Sequence, residues 1–120
     1  MNDLQVLFKS NNLIKAKYDF TVAQNRVLQK VFYQIQKNKI NVAEISTGEM
    51  KQLIKNKAIN SVESIKEFLK NLKENEIMEI KENGEWLHVN VLSGAKYNPE
   101  SDKFVIEIPV LLLQLIHEYT

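Results

Sequence analysis

The stretch NSVESIKEFLKNLKENEIMEIKENGEWLHVNVL, residues 60–92, decides the fold. It opens as a capped amphipathic helix from Asn60-Ser61 through Glu74, passes into an alternating strand, turns at Glu82-Asn83-Gly84-Glu85 and returns as a second strand. Asn-Gly between two alternating runs is the strongest short-range hairpin signal, because a type I′ turn needs positive φ at both central residues. Just upstream, Ser46-Thr-Gly-Glu49 is a capping box that starts a helix to about Asn56, with Met50, Leu53 and Ile54 inward. Helix, a short turn at Lys57-Ala-Ile59, helix, then a two-stranded ribbon is the order of a winged helix-turn-helix. The expected fold class is therefore α+β, a helical bundle with a small antiparallel wing, an arrangement that usually works on DNA.

Working outward, residues 4–8 read as a strand or extended arm, and a brief helix is expected over Asn12–Lys17. Thr21-Val-Ala-Gln24 is another capping box, opening a helix to about Lys37 whose Val27, Leu28, Val31, Phe32 and Ile35 form one apolar stripe. Arg26, Lys30, Tyr33 and Lys37 fall on its opposite face. Asn41–Ile45 suits a short strand. In the decisive stretch, Asn60-Ser-Val-Glu63 caps the helix, and Val62, Ile65, Leu69 and Leu72 make its seam with Phe68 on the flank. A two-residue Asn83-Gly84 turn sets Ile80 opposite Leu87 and Met78 opposite Val89, towards the helices. The same register puts Lys81 across from Trp86, a cation–π arrangement, and Glu79 across from His88. The chain is expected to continue past a bulge at Gly94 to Tyr97, turn through Asn98-Pro-Glu-Ser-Asp102, and return along Phe104, Ile106 and Ile108 as the third strand of the wing sheet. Pro109 would sit in the first turn of a closing helix, Val110 to about Glu118. Its Leu111-Leu-Leu-Gln-Leu-Ile116 is apolar nearly all round, which suits burial between layers or under another domain or subunit.

At 120 residues, 44% hydrophobic and 26% charged, the chain is an ordinary globular protein of one domain, 1–120. No apolar run reaches the ~18 residues of a membrane span, and the start lacks the layout of a secretory signal. Cysteine is absent, which removes disulfides and thiolate zinc sites; a cytoplasmic location is expected. Net charge is +1, but residues 1–60 hold ten Lys/Arg against four Asp/Glu (+6) and residues 61–120 hold six against eleven (−5). Such asymmetry can produce a basic face, although Lys and Glu that merely solvate helices would give the same counts. Arg26 is the sole arginine. Bidentate guanine reading favours Arg, so DNA contact here should lean on phosphates.

Nothing in the residues suggests an enzyme, a cofactor or a metal. His88 and His117 lie on separate elements with no acidic or cysteine cluster beside them, and Gly48, Gly84 and Gly94 are too far apart for a phosphate-cradling loop. For DNA, the exposed face of the 60–74 helix carries Asn60, Glu63, Ser64, Glu67, Lys70, Asn71 and Glu74, and its three carboxylates oppose pressing it onto phosphates. The expected contacts are Lys55, Lys57, Asn60, Ser61, Ser64 and Lys70, aided by the helix terminus, with Lys9, Lys15, Arg26 and Lys30 as a second tier. The Glu82–Glu85 tip is acidic and a poor groove probe.

Across nearly its whole length the chain resembles the first winged-helix domain of the iteron-binding plasmid replication initiators. The likeness runs through Val6-Leu-Phe-Lys-Ser-Asn-Asn-Leu-Ile14, through Phe20-Thr-Val-Ala-Gln-Asn-Arg26 with Gln24 where the family typically has Glu, through residues 60–80, and through Val105-Ile-Glu-Ile-Pro-Val-Leu-Leu-Leu113 to Tyr119-Thr120. The resemblance implies contact with one end of an origin repeat in double-stranded DNA, largely through the backbone, and a part in dimerisation. It also implies host partners, the replication initiator and the helicase, and no membrane. In that family a second winged helix normally follows and carries the main major-groove reading; the chain stops where that half would begin, so a fragment holding the first domain is expected. Two other readings compete: an interaction module that dimerises through its leucine-rich end or a sheet edge with little DNA binding, and a winged-helix transcriptional regulator.

Overall fold

The computed structural model describes residues 13–17, 20–81 and 83–117. In chain order these form β1 (Leu13–Lys17), α1 (Val22–Asn38), β2 (Val42–Ser46), α2 (Thr47–Ile54), α3 (Val62–Lys73), β3 (Glu76–Lys81), β4 (Trp86–Asn90), β5 (Gly94–Asn98), β6 (Lys103–Glu107) and α4 (Val110–His117). The winged-helix order expected from residues 46–92 is present, and local sequence explains each helix. Thr21 accepts the Gln24 N–H at 3.1 Å while the Gln24 side chain accepts the Thr21 N–H at 3.0 Å, a complete capping box for α1. Ser46 caps α2 through the Glu49 N–H, but Glu49 does not return the bond and pairs with Lys30 instead, at 3.2 Å. For α3 the cap is Ser61, one residue later than expected, with Ser64 as its reciprocal partner.

Both α1 and α2 end on a lysine in the left-handed region, Lys39 at φ 59° and Lys55 at φ 53°. Each donates its N–H back to the preceding turn, as a terminal glycine would. The core joins Val27, Leu28, Val31, Phe32 and Ile35 of α1 to Ile65, Leu69 and Leu72 of α3 and to Phe104, Ile106 and Ile108 at β6.

The strands divide into two three-stranded antiparallel sheets, β1-β3-β4 and β2-β6-β5, not a single wing sheet. The break falls at Val91 and Leu92. Consecutive residues of a strand face opposite ways, yet both of these are fully buried, so the chain leaves one sheet here and crosses the core to the other. The crossing is pinned by Val91 N–H to the Asn75 carbonyl at 2.9 Å and Ser93 N–H to the Glu107 carbonyl at 2.8 Å. Gly94 begins β5 and is not a bulge within β4. In the second sheet the outer edge of β2 is covered: the Gln34 side chain takes both the N–H and the carbonyl of Glu44, at 3.0 and 2.8 Å.

Two further expectations are corrected. Residues 13–17 form a strand paired with β3, where a brief helix was expected; long-range pairing overrides weak local preference. The β3–β4 register is displaced by one residue, with Ile80 opposite Trp86, Glu79 opposite Leu87, Met78 opposite His88 and Ile77 opposite Val89. One residue of slip exchanges the faces. Ile77 is fully buried, while Met78 and Ile80 share the other face with Trp86 and His88. Lys81 is no longer across from Trp86, whose ring instead lies 5.9 Å from that of His88, and His88 pairs with Glu76 at 3.1 Å. The extra loop residue fits a turn in which Gly84 takes φ 89° and Asn83 accepts the Glu85 N–H. In α4, Leu112 is buried, whereas Val110 and Leu111 stand 59% and 57% exposed.

Candidate nucleic-acid interface

The α3 helix segregates its charges. Lys66, Lys70 and Lys73, at i, i+4 and i+7, lie on one flank; Glu63, Glu67 and Glu74 lie on the next. The lysine flank faces β5, and between them runs a cleft of about 380 Å³ floored by Leu69, Ala95 and Phe104. Tyr97 and Lys96 of β5 edge its far side, but the two are consecutive on a strand. Tyr97 shares the face of Phe104, whereas Lys96, opposite Val105, belongs to the other face, so the lysine side chains along the groove are those of Lys66, Lys70 and Lys73. Lys66 stands over the Tyr97 ring, 5.7 Å from its centroid, and also reaches Glu63 at 3.0 Å in an exposed pair of small energetic weight.

The β5–β6 turn is anchored beside this cleft. Tyr97 packs its ring against Phe104, with centroids 4.9 Å apart, and donates its hydroxyl to Asp102 Oδ1 at 2.5 Å. Thr47, the first residue of α2, donates its hydroxyl to the same oxygen at 2.7 Å and its N–H to the Asp102 carbonyl at 3.1 Å. Hydrogen bonds from Tyr97 and then Thr47, with the charge of Lys51 adding a little, hold the Asp102 carboxyl below its usual range. The bond to Asp102 pushes the Tyr97 hydroxyl up, with desolvation adding to it. The ribbon beside the helix pair is therefore β5–β6, with its tip at Asn98–Asp102, and the acidic Asn83-Gly84 hairpin belongs to the other sheet.

The expected contact residues separate into three groups. Lys55, Lys57 and Asn60 are exposed around the α2–α3 turn, and Lys70 is exposed in the cleft. Ser61 and Ser64 begin α3 as expected, but their hydroxyls are engaged with each other and with each other's backbone. Arg26 is corrected. Half-buried, it donates Nε to the Leu53 carbonyl at 2.5 Å and a terminal nitrogen to the Ile54 carbonyl at 3.0 Å, closing the C-terminal turn of α2. Its fork matches two adjacent orphan carbonyls, which uses it structurally. Lys30 is held between Glu49 and the Tyr33 ring. Lys15 sits in β1 at the register position opposite Ile80, in the sheet that does not contain β5. Lys9 lies outside the described residues.

The expected contacts did not include Lys66, Lys73 or Tyr97, which line this cleft. The i, i+4, i+7 lysine spacing was visible in the sequence; Tyr97 could be placed only once β5 was known to pair with β6 beside α3. The half-to-half charge count does not point here, since the three α3 lysines of the cleft come from the half with balance −5. On the opposite flank of α3 a second groove of about 590 Å³ has Phe68, Ile59, Gln24 and Asn71 among its lining, with Glu67 as its charged group. Among the described residues no group of three or more His, Asp or Glu side chains is placed to hold a metal, and no helix is long and apolar enough to cross a membrane.

A family model described as initiator replication protein, WH1, matches residues 6–120. Among solved structures, the chain is similar to the WH1 domain of MSBI1.176, a replication protein isolated from a multiple sclerosis patient. The two share 14% identity over 83% of this chain and 85% of that one, with a TM-score of 0.52, which establishes the winged-helix fold. No curated protein matches the sequence.

Proposed function

This chain belongs to the initiator replication protein WH1 family, and on that footing we propose that it serves plasmid replication by contacting origin-repeat DNA through phosphates, without catalysis of its own. The observation that carries this reading is the cleft, where Lys66, Lys70 and Lys73 of α3 stand along one wall and Tyr97 of β5 lies across from them. Compact ammonium charges suit phosphate oxygens better than base edges, so such a site positions the protein and contributes little sequence reading. The carboxylates on the adjoining flank of α3 oppose insertion between two strands of a major groove, whose walls are both anionic. They leave one phosphate strand as the natural partner. The exposed Lys55, Lys57 and Asn60 at the α2–α3 turn, whose Ile59 lines the opposite groove, are proposed as a separate phosphate contact.

Titration of a labelled duplex at several salt concentrations tests this. Lys70→Glu with Lys73→Glu should weaken binding about equally for repeat and scrambled duplexes, and should make the salt slope shallower by about 1.8, two phosphate contacts. Lys55→Glu with Lys57→Glu should act in the same direction. Wild-type affinity in the Lys70/Lys73 variant would remove the cleft from the interface.

Self-association is part of the proposal. Val110 and Leu111 at the start of α4 are more than half exposed, and Ile40, 54% exposed, adjoins Asn41, which exchanges two hydrogen bonds with Ile108. Apolar surface at one end of a small domain is what a second copy would cover. Light scattering across concentration, for the wild type and for Leu111→Glu, decides whether that end dimerises.

A further inference from the structure

We infer that Asp102, in the turn between β5 and β6, is the positioning residue of the lysine cleft: it fixes the Tyr97 ring, and the ring fixes the Lys66 ammonium. This rests on the cleft being a phosphate site. Asp102 adopts φ 54°, a conformation unfavourable for most residues with a Cβ, and from it one carboxylate oxygen takes hydroxyls from two separate elements. Thr47 belongs to α2 and Tyr97 to β5, so a single side chain ties the ribbon to the helix pair. With its hydroxyl held by Asp102 and its ring packed against Phe104, Tyr97 has little freedom to rotate. Its π-face then offers a fixed seat for Lys66, a long side chain whose other partner is the exposed Glu63 on its own helix.

Charge alone argues that Asp102 should be a liability, since a carboxylate bonded to Tyr97 at the edge of the lysine cleft repels the phosphates those lysines attract. A geometric role accounts for it. The two effects are separable because Asn and Gly both remove the charge and both tolerate positive φ, whereas Asn alone keeps an acceptor for the two hydroxyls.

The test is titration of the full chain with a labelled duplex over a range of salt. Asp102→Asn should bind at least as tightly as the wild type with an unchanged salt slope. Asp102→Gly should bind several-fold more weakly, with a slope shallower by about 0.9, the loss of one phosphate contact. In a Lys66→Gln background the same Asp102→Gly change should cost nothing more. Equal behaviour of the Asn and Gly variants, or an Asp102→Gly loss of the same size with and without Lys66, overturns the inference. Should Asp102→Gly fail to fold, Tyr97→Phe keeps the ring and removes its tether. It should reproduce the shallower slope, and wild-type binding by it overturns the inference equally. Failure of the underlying reading looks different: wild-type affinity that does not fall with salt, or Lys66→Gln binding like the wild type, removes the phosphate site and this inference with it.

Discussion

The β3–β4 ribbon carries an Asn-Gly turn, a tip of Asn83, Gly84 and Glu85, and the exposed Trp86; the β5–β6 ribbon turns through Asn98-Pro-Glu-Ser-Asp102 and lies against α3. The first announces itself in sequence far more loudly, yet the second forms a wall of the cationic cleft. Turn chemistry reports that a hairpin closes, because the φ values it needs are local. Which sheet the hairpin joins is set by its non-local partner. For β6 that partner is β2, where Ala43 and Ile45 meet Ile106 and Phe104 with all four side chains buried. The energetic commitment of the two ribbons should differ accordingly.

Truncating an aromatic in each ribbon is the harshest way to break that contrast. Phe104 is 1% exposed and packs on Tyr97, so Phe104→Ala should cost about 3–5 kcal/mol, the range for emptying a buried aromatic site. Trp86 is 64% exposed, and Trp86→Ala should cost less than about 1 kcal/mol. Urea midpoints compared at constant m-value measure both. Similar losses would mean that the β3–β4 ribbon is as deeply committed to the fold as its counterpart.

A smaller effect sharpens the distinction between structural and ligand-facing cations. Arg26→Met should destabilise by about 1–3 kcal/mol, because it strips charge-assisted hydrogen bonds from the Leu53 and Ile54 carbonyls. Its salt slope for duplex binding should stay at the wild-type value. A slope shallower by about one unit would return Arg26 to the phosphate contacts.

Legibility followed the range of the interaction that decides each feature. The starts of α1, α2 and α3 could be read because a cap is settled within four residues, and the stripe Val27 to Ile35 because one helix face is buried. The brief helix at 12–17 and the single wing sheet failed for the opposite reason. A strand such as β1 is defined by its pairing with β3, and Val91-Leu92 looks like more of the same strand until both prove buried. The β3–β4 register was misread because Asn83-Gly84 fits either a two-residue turn or a longer loop with a left-handed glycine, and the two differ by one residue. The candidate site was half visible: Lys70 was named, Lys66 and Lys73 share its spacing, and Tyr97 needed the tertiary fold. The structural partners of Arg26 were not legible, because a helical wheel assigns a face without showing that another helix ends against it.

The mildest expected effect is a pH dependence confined to the second ribbon. Asp102 is held below its usual value near 3.8 in the native state, chiefly by the Tyr97 hydroxyl and then by Thr47. A depressed native value means that the carboxylate adds stability above the unfolded value, and that this contribution disappears as pH falls through the lower native one. Tyr97 is shifted the other way, above 10.0. Its contribution is present below the unfolded value and is lost as pH rises through the raised native one. The stability difference between the wild type and Asp102→Asn should thus be level from about pH 5 to 9 and shrink on either side. Amide hydrogen exchange should locate the change in β5 and β6 and leave β3 and β4 untouched. A shift of equal size in both ribbons would show that the Thr47–Asp102–Tyr97 tie is felt throughout the domain, and the two ribbons would then have to be treated as one cooperative unit.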